Sequence, residues 1–146
     1  MVTIDNLNQV ANQIETERGV GKEVLYSAIE LALAAACKKK MRSEALIECV
    51  LNTETGNVTF FDVKNVVETI EDELTEITEK DAKKIKKSYK AGDAIKTEFT
   101  PPDFGRIAAQ TAKQVIIQRL REAEKDSVYD EFKDKINEII TGSVQR

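Results

Sequence analysis

The feature that most restricts the fold is an uninterrupted helical pattern near the end of the chain. From Asp103, a candidate N-cap, to about Ile136 the sequence has no proline, and its one glycine is Gly105, close to the start. Apolar residues recur along it every three to five positions, as in an amphipathic helix. They are Phe104, Ala108, Ala112, Ile116, Leu120, Ala123, Val128, Phe132 and Ile136. A helix of ~34 residues spans on the order of 50 Å, more than the width of a domain this small, so its distal part is predicted to project.

Two other helices are predicted before this one. Residues 4–17 carry an apolar stripe at helical spacing, with Thr3 as a candidate N-cap and Gly19 as a candidate end. A second helix extends from Lys22 to about Arg42 and is apolar on nearly every side. Such a helix is usually buried by its neighbours, so we expect it at the centre of the domain.

Strand patterns occupy the middle of the chain. Residues 45–51 and 58–68 are joined by a polar loop that contains Gly56, which predicts a β hairpin. Thr78 opens a short lysine-rich helix predicted to end near Gly92, and residues 94–99 form a further strand. The sequence therefore predicts an α+β fold: a helical body, a small antiparallel β hairpin or sheet subdomain, and a long C-terminal helix leading to the next domain.

The segment after the long helix has a different pattern. Residues 138–144 read as the first strand of another unit, within which the sequence stops. We therefore expect a piece of a longer protein, with one domain over 1–136 that includes the linker helix 103–136. Residues 137–146 would be the start of a further, truncated domain.

Composition excludes several kinds of chemistry. The chain contains no histidine, so it has no Ser-His-Asp triad, Cys-His pair or imidazole-dependent zinc site. Cys37 and Cys49 are too few for a disulfide framework, which favours a reducing, cytoplasmic location. No apolar run approaches the ~20 residues of a membrane helix. We expect no catalytic residues, no cofactor, no metal and no membrane association.

Charge is segregated along the chain, although the total is only −4, from 22 basic and 26 acidic residues. Residues 66–82 are strongly acidic, whereas 83–90 contain lysines and no acid. Residues 103–121 are basic, and 122–138 are acidic. An acidic total is therefore compatible with a local basic face.

The long helix carries the first candidate binding face. Arg106 and Lys113 project within about 20° of one another, with Gln110 between them. The full face is Arg106, Gln110, Lys113, Gln114 and Arg121. Basic and amide groups in this arrangement suit a phosphate backbone or a partner helix. The alternative is an ordinary solvated helix face.

A second candidate is the lysine cluster Lys38, Lys39 and Lys40 at the end of the preceding long helix. Its alternative is solubilising charge that also suits the negative end of the helix dipole. If the two helices pack together, both clusters can merge into one stripe.

Two further charged groups favour structural interpretations. The lysines at positions 83, 84, 86 and 87 follow the acidic stretch directly and indicate a solvated, partly self-neutralising face. Glu71, Asp72 and Glu73 alternate in direction along an extended chain, which is poor spacing for a metal site.

The long helix also carries a family resemblance. The segment Phe104–Ile116, FGRIAAQTAKQVI, followed by Gln118, Arg119 and Arg121–Glu124, closely resembles the corresponding helix of the bacterial NusA transcription factor family. Other pieces agree in order along essentially the whole chain. They are Cys37–Lys40, the hairpin, Ala91–Asp93 and Glu138–Gly142.

The resemblance implies the N-terminal domain of that family, which binds core RNA polymerase beside the RNA exit channel at the β-flap region. The C-terminal domain of the polymerase α chain is a second candidate contact. In the family this domain modulates pausing, hairpin-dependent termination and antitermination, the last with other factors through the full-length protein. Residues 140–144 resemble the opening strand of the OB-type RNA-binding barrel that follows.

The resemblance also implies that Arg106 and Lys113, with Lys38 to Lys40, face polymerase and the nascent RNA, mainly as a hairpin. A monomer is expected. Three alternatives stay open: an RNA-binding module without polymerase contact, a dimerisation module that uses residues 122–138, and a carboxylate-dependent hydrolase.

Overall fold

A computed structural model describes residues 2–145. Within that range the chain forms five strands, four α-helices and one short 3-10 turn. In chain order they are β1 (Val2–Thr3), α1 (Leu7–Arg18), α2 (Lys22–Met41), β2 (Leu46–Leu51), β3 (Asn57–Val67), β4 (Glu76–Thr78), α3 (Glu79–Ile85), β5 (Ala94–Phe99), α4 (Gly105–Phe132) and the turn Lys133–Lys135. The predicted α+β class is confirmed.

All strands belong to one sheet, and β3 lies at its centre. It pairs antiparallel with β1, β2 and β5, and parallel with β4. Phe60 of β3 lies between Cys49 of β2 and Phe99 of β5. Because alternate side chains of a strand share a face, Val58, Phe60 and Asp62 point to the same side of the sheet. We call this side the inner face, since the helices pack on it.

The predicted hairpin between β2 and β3 is confirmed, and its turn is held by Asn52. The Asn52 side-chain oxygen accepts hydrogen bonds from the backbone N–H groups of Glu54 and Thr55, each at 3.0 Å. Gly56 closes the turn with φ of 72°, a conformation that glycine adopts without strain. Its carbonyl accepts the N–H of Ile4 at 2.9 Å, which ties β1 to the hairpin.

The main core lies between the inner face and helices α2 and α4. Fully buried residues of α2 follow a helical stripe, with Leu25, Ile29, Leu33 and Cys37 each 0% exposed. In α4 the buried positions are the small residues Ala108 and Ala112, which allow close approach of the two helices. Phe104, immediately before α4, packs edge-on against Phe60 with ring centroids 5.1 Å apart and an interplanar angle of 88°. A second, smaller core of Val66, Ala82 and Ile95 lies under α3.

Three helix boundaries differ from the prediction. Thr3 does not cap α1: it belongs to β1, and its hydroxyl donates to Asn57 Oδ1 at 2.9 Å. Asp103 does not cap α4, because its φ of 51° places it in a left-handed turn and Phe104 occupies the N-cap position. Helix α3 ends at Ile85 rather than near Gly92, since the chain becomes extended at Lys86. The predicted Thr78 cap is confirmed, with its hydroxyl accepting the Asp81 N–H.

The projection of the long helix is confirmed, although α4 is shorter than predicted. It has 28 residues, which corresponds to about 42 Å. Every side chain from Glu124 to Gln145 is exposed. Residues 136–145 form neither helix nor strand, so the strand predicted over 138–144 is not present. The assignment of 137–146 to a further domain stays a prediction.

The expectation that α2 is buried on all sides is wrong. Val24 is 55% exposed and Leu31 74% exposed, because the sheet and α4 cover only one side of the helix. No helix within residues 2–145 combines the length and apolar character needed to cross a bilayer.

The Gly56 turn provides a stability test. A Cβ at Gly56 would overlap the Ile4 carbonyl oxygen, whereas a Cβ at Gly19, which also has positive φ, meets nothing within 4 Å. We expect Gly19→Ala to lower the free energy of unfolding by about 1 kcal/mol and Gly56→Ala by at least about 2 kcal/mol more. Urea unfolding of both variants measures the difference, and equal losses would contradict the contact between β1 and the hairpin turn.

The second test concerns Cys49, a buried thiol on the inner face. Burial, with smaller effects from Glu30 and Cys37, raises its pKa to about 12. The unfolded thiol ionises near its usual value of 9.0, so folding stability is fully present below pH 9 and falls between pH 9 and 12. Relative to Cys49→Ala, we expect the wild type to lose about 1–2 kcal/mol more between pH 8 and pH ~10.5. Parallel pH profiles of the two proteins would contradict this assignment.

Candidate functional site

The predicted face of α4 lies opposite the core. Ala108 and Ala112 are buried, and the side chains that point the other way are exposed. All five predicted residues are exposed: Arg106, Gln110, Lys113, Gln114 and Arg121. Ile117 lies on the same line and is 38% exposed. We call Arg106, Gln110, Lys113, Gln114, Ile117 and Arg121 the basic face.

The cations of the basic face are electrostatically uncompensated within residues 2–145. Arg106, Lys113 and Arg121 take part in none of the ion pairs found there. Arg106 also lies in the first turn of α4, which contains no acidic residue. The helix dipole is positive at this end and normally favours an acid there. The first turn of α4 therefore carries an arginine where helix stability would favour an acid.

The basic face ends at Arg121. The acids that follow it are paired with other arginines: Glu122 with Arg119 at 2.8 Å, and Glu124 with Arg18 of α1 at 3.2 Å. The remainder of α4 carries more acids than bases. An anionic ligand is consequently attracted to the first half of α4 and repelled by the second.

The three lysines at the end of α2, Lys38, Lys39 and Lys40, are not equivalent in the structure. Lys40 follows the buried residues Leu33 and Cys37 by seven and three positions, so it lies on the inward side of the helix. Its ammonium donates to the Pro102 carbonyl oxygen and lies 5.9 Å from the centroid of the Phe104 ring. The charge of Lys40 is therefore already engaged within the domain. Lys38 and Lys39 form no ion pair within residues 2–145.

The Lys40 contacts also bring the two predicted clusters together. They place the last turn of α2 beside the first turn of α4, while Val24 near the start of α2 lines the same groove as Arg119 of α4. The two helices therefore pack antiparallel, which meets the condition stated for a merged stripe. Lys38 and Lys39 lie at the end of α2 that adjoins Arg106.

A cleft on the sheet was not predicted from the sequence. It is lined by residues from the end of α2, the α2–β2 connection, the strands β2, β3 and β5, and the loop after β3: Met41, Ser43, Ala45, Ile47, Asp62, Lys64, Leu74, Thr97 and Phe99. We call it the sheet cleft. One signal was available in the sequence, because Asp62 falls in phase with the core residues Val58 and Phe60. An acid at a core-facing position is unfavourable unless a cation or a hydrogen-bond donor pairs with it.

The remaining charged groups have local structural roles. Glu76 accepts hydrogen bonds from the backbone N–H groups of Glu71 and Asp72, at 2.7 and 3.1 Å. Lys84 hydrogen-bonds the Asp81 carboxylate at 2.7 Å, which lowers the pKa of Asp81. Residues 2–145 contain no group of three or more side chains arranged to hold a metal ion.

Comparison with known proteins places the whole arrangement in one family. The protein-family model described as the NusA N-terminal domain matches residues 6–126 of the sequence. The transcription termination/antitermination protein NusA of Bacillus subtilis is 46% identical over 133 residues, which are 91% of this chain and 36% of that protein. The protein of the same name from Rickettsia conorii is 40% identical over 138 residues, 94% of this chain and 27% of that protein.

A solved structure agrees with the fold. The solution structure of the N-terminal domain of NusA from Bacillus subtilis has a TM-score of 0.71 and 43% sequence identity. The match covers 82% of this chain and 97% of that one. The chain spans about a third of the length of the Bacillus relative. On these matches, the chain belongs to the NusA family of transcription termination/antitermination proteins and corresponds to its N-terminal domain.

Proposed function

We propose that this domain binds core RNA polymerase at the β-flap region beside the RNA exit channel and there modulates pausing, hairpin-dependent termination and antitermination. Family membership supports the general role in transcription. The observation that carries the finer proposal is the basic face, whose cations have no acidic partners within residues 2–145. Such a face is available to a polyanion that emerges beside it.

The proposed mechanism is electrostatic guidance without bond chemistry. Folding of the transcript into a hairpin raises its local density of negative charge. A positive surface nearby therefore stabilises the hairpin relative to the extended transcript. Arg106, Lys113, Lys38 and Lys39 supply the charge, and Gln110 and Gln114 supply hydrogen bonds. We propose no enzymatic activity for the domain.

The same helix offers an apolar contact for protein. Ile117 lies in line with Arg106 and Lys113, and it is partly exposed between charged neighbours. We propose that the polymerase contact uses this part of α4, with the C-terminal domain of the polymerase α chain as a second candidate partner. Other antitermination factors would act through the longer protein. The proposal places the domain in the cytoplasm, and we expect it to act as a monomer.

The polymerase contact is tested by interferometry with immobilised core RNA polymerase. We expect Arg106→Ala to weaken binding about five- to tenfold, as for loss of a charged interface contact. Arg18→Ala, which removes the same side chain from an ion-paired position beside Glu124, 18 residues along α4 from Arg106, is the matched control and should bind as the wild type does. Circular dichroism must show equal folding. Unchanged binding by Arg106→Ala would move the contact off the basic face.

The RNA contact is tested by the salt dependence of binding to a fluorescent hairpin RNA between about 50 and 200 mM salt. The measured quantity is the slope of the logarithm of the association constant against the logarithm of the salt concentration. We expect Lys113→Gln and Lys39→Gln each to make this slope less steep by about 0.7–0.9, the value for one phosphate contact. Lys40→Gln should leave the slope nearly unchanged and lower the free energy of unfolding by about 1 kcal/mol, because the Lys40 ammonium is used internally.

Two outcomes would contradict this division of roles. Equal slopes for the wild type, Lys113→Gln and Lys39→Gln would remove the basic face from RNA binding. A reduced slope for Lys40→Gln with unchanged stability would show that the Lys40 ammonium binds phosphate instead of the Pro102 carbonyl oxygen.

A further inference from the structure

The sheet cleft is an apolar surface that the domain leaves uncovered. It has a volume of about 350 Å³ and opens on the inner face of the sheet, beyond the end of α2. Its apolar walls include Met41, Ile47, Leu74 and Phe99. Met41 is 46% exposed and Leu74 48% exposed, although both are large apolar side chains. A cleft of this size accommodates one or two side chains of a binding partner.

A buried carboxylate oxygen in the cleft lacks a partner. Asp62 lies on β3 between Ile47 of β2 and Thr97 of β5. Its Oδ1 atom is buried and accepts no hydrogen bond within the described residues. Lys64 lies two residues further along the same face, but its ammonium donates to the Glu73 carbonyl oxygen at 3.2 Å. Burial of an unpaired acceptor is unfavourable, so a donor that enters the cleft gains a hydrogen bond that the domain itself does not make.

The rim of the cleft adds further negative charge. Glu71 and Glu73 belong to the loop that contributes Leu74, and Glu44 lies between the lining residues Ser43 and Ala45. All three acids are exposed, and none forms an ion pair within residues 2–145. Together with Asp62 these acids outnumber the two cations there, Lys64 in the lining and Arg42 between Met41 and Ser43. The surroundings of the sheet cleft therefore carry net negative charge, opposite in sign to the basic face. They repel nucleic acid and attract a cation.

We propose that the sheet cleft binds a short basic and apolar segment of a partner protein. An arginine side chain of that segment donates to Asp62 Oδ1, and its apolar neighbours pack on Met41, Leu74 and Phe99. Arginine fits better than lysine because its planar guanidinium has several donors and stacks on an aromatic ring such as Phe99. The domain then has two sites of opposite charge, one for RNA and one for a basic protein segment. This inference goes beyond the proposed function and does not depend on the basic face.

The test uses a blocked pentapeptide, acetyl-Leu-Leu-Arg-Phe-Leu-amide, titrated into the ¹⁵N-labelled chain. The matched peptide contains citrulline, which keeps the planar shape of the arginine side chain. Citrulline has a carbonyl oxygen in place of one nitrogen, so it loses the charge and two of the five N–H donors. We expect chemical-shift changes at Ile47, Asp62 and Thr97, with the arginine peptide binding roughly tenfold more tightly than the citrulline peptide, as for a charge-assisted hydrogen bond. Asp62→Asn, which keeps an acceptor oxygen but loses the charge, should abolish this difference between the peptides.

Glu98→Gln is the control variant, because Glu98 neighbours Thr97 on the same strand but points to the opposite face of the sheet. It should bind both peptides as the wild type does. Circular dichroism and urea unfolding establish that each variant is folded. Equal affinity of the wild type for the two peptides, shifts outside the cleft, or no binding at millimolar peptide would overturn the proposal.

Hairpin RNA added to the peptide complex separates this proposal from the proposed function. We expect it to shift resonances of Arg106 and Lys113 without displacing the peptide. Displacement of the peptide by RNA would show that the two ligands share one surface and would overturn the assignment of the cleft to protein. Loss of polymerase or RNA binding in the basic-face variants leaves the peptide result unchanged.

Discussion

The contact between Phe104 and Phe60 is the constraint on which the rest of the structure depends. Phe60 is the fourth residue of the longest strand, and Phe104 is the residue from which α4 begins. Each is 1% exposed, and their rings meet edge to face. Because Phe104 is held in the core, the start of α4 cannot move relative to the sheet. Lys40 covers the same ring from the α2 side and joins the two helices at that point.

Anchorage at one end explains why the two halves of α4 differ. The first half packs on α2 through Ala108 and Ala112, and its outward side carries the basic face. The second half has no core residue, and its contact with the body includes the ion pair between Glu124 and Arg18 of α1. Helices without tertiary packing are marginal in water, so this half depends on its continuity with the anchored half. The exposed apolar residues Val128 and Phe132 lie there, and the dimerisation alternative for 122–138 stays a prediction.

Long periodic elements were predictable from the sequence because many residues repeat the same signal. Helix α2, the β2–β3 hairpin and α4 were each identified in this way. Strands β1 and β4 were missed, since two or three residues have no period to detect. Asp103 has the composition of a cap, but its left-handed φ reflects the way Phe104 is drawn into the core, which is a tertiary effect.

The candidate site shows the same limit. Exposure of Arg106, Gln110 and Lys113 followed from helical periodicity alone. The inward direction of Lys40 was available from its spacing to Leu33, yet its partner Pro102 is distant in sequence and only the fold brings them together. The sheet cleft draws residues from several separate segments, so no local pattern predicts it.

The second half of α4 also sets the direction in which residues after the helix face relative to the domain body. Each residue of an α-helix advances the chain by about 1.5 Å and turns it by about 100°. One residue inserted after Ala123 would therefore leave the attached segment at nearly the same distance but facing a different direction. Seven residues would restore the direction to within about 20° and move the segment about 10 Å outward. The direction that a segment beyond α4 faces relative to Arg106 is thus set by the exact number of residues in a stretch that makes no contact with the core.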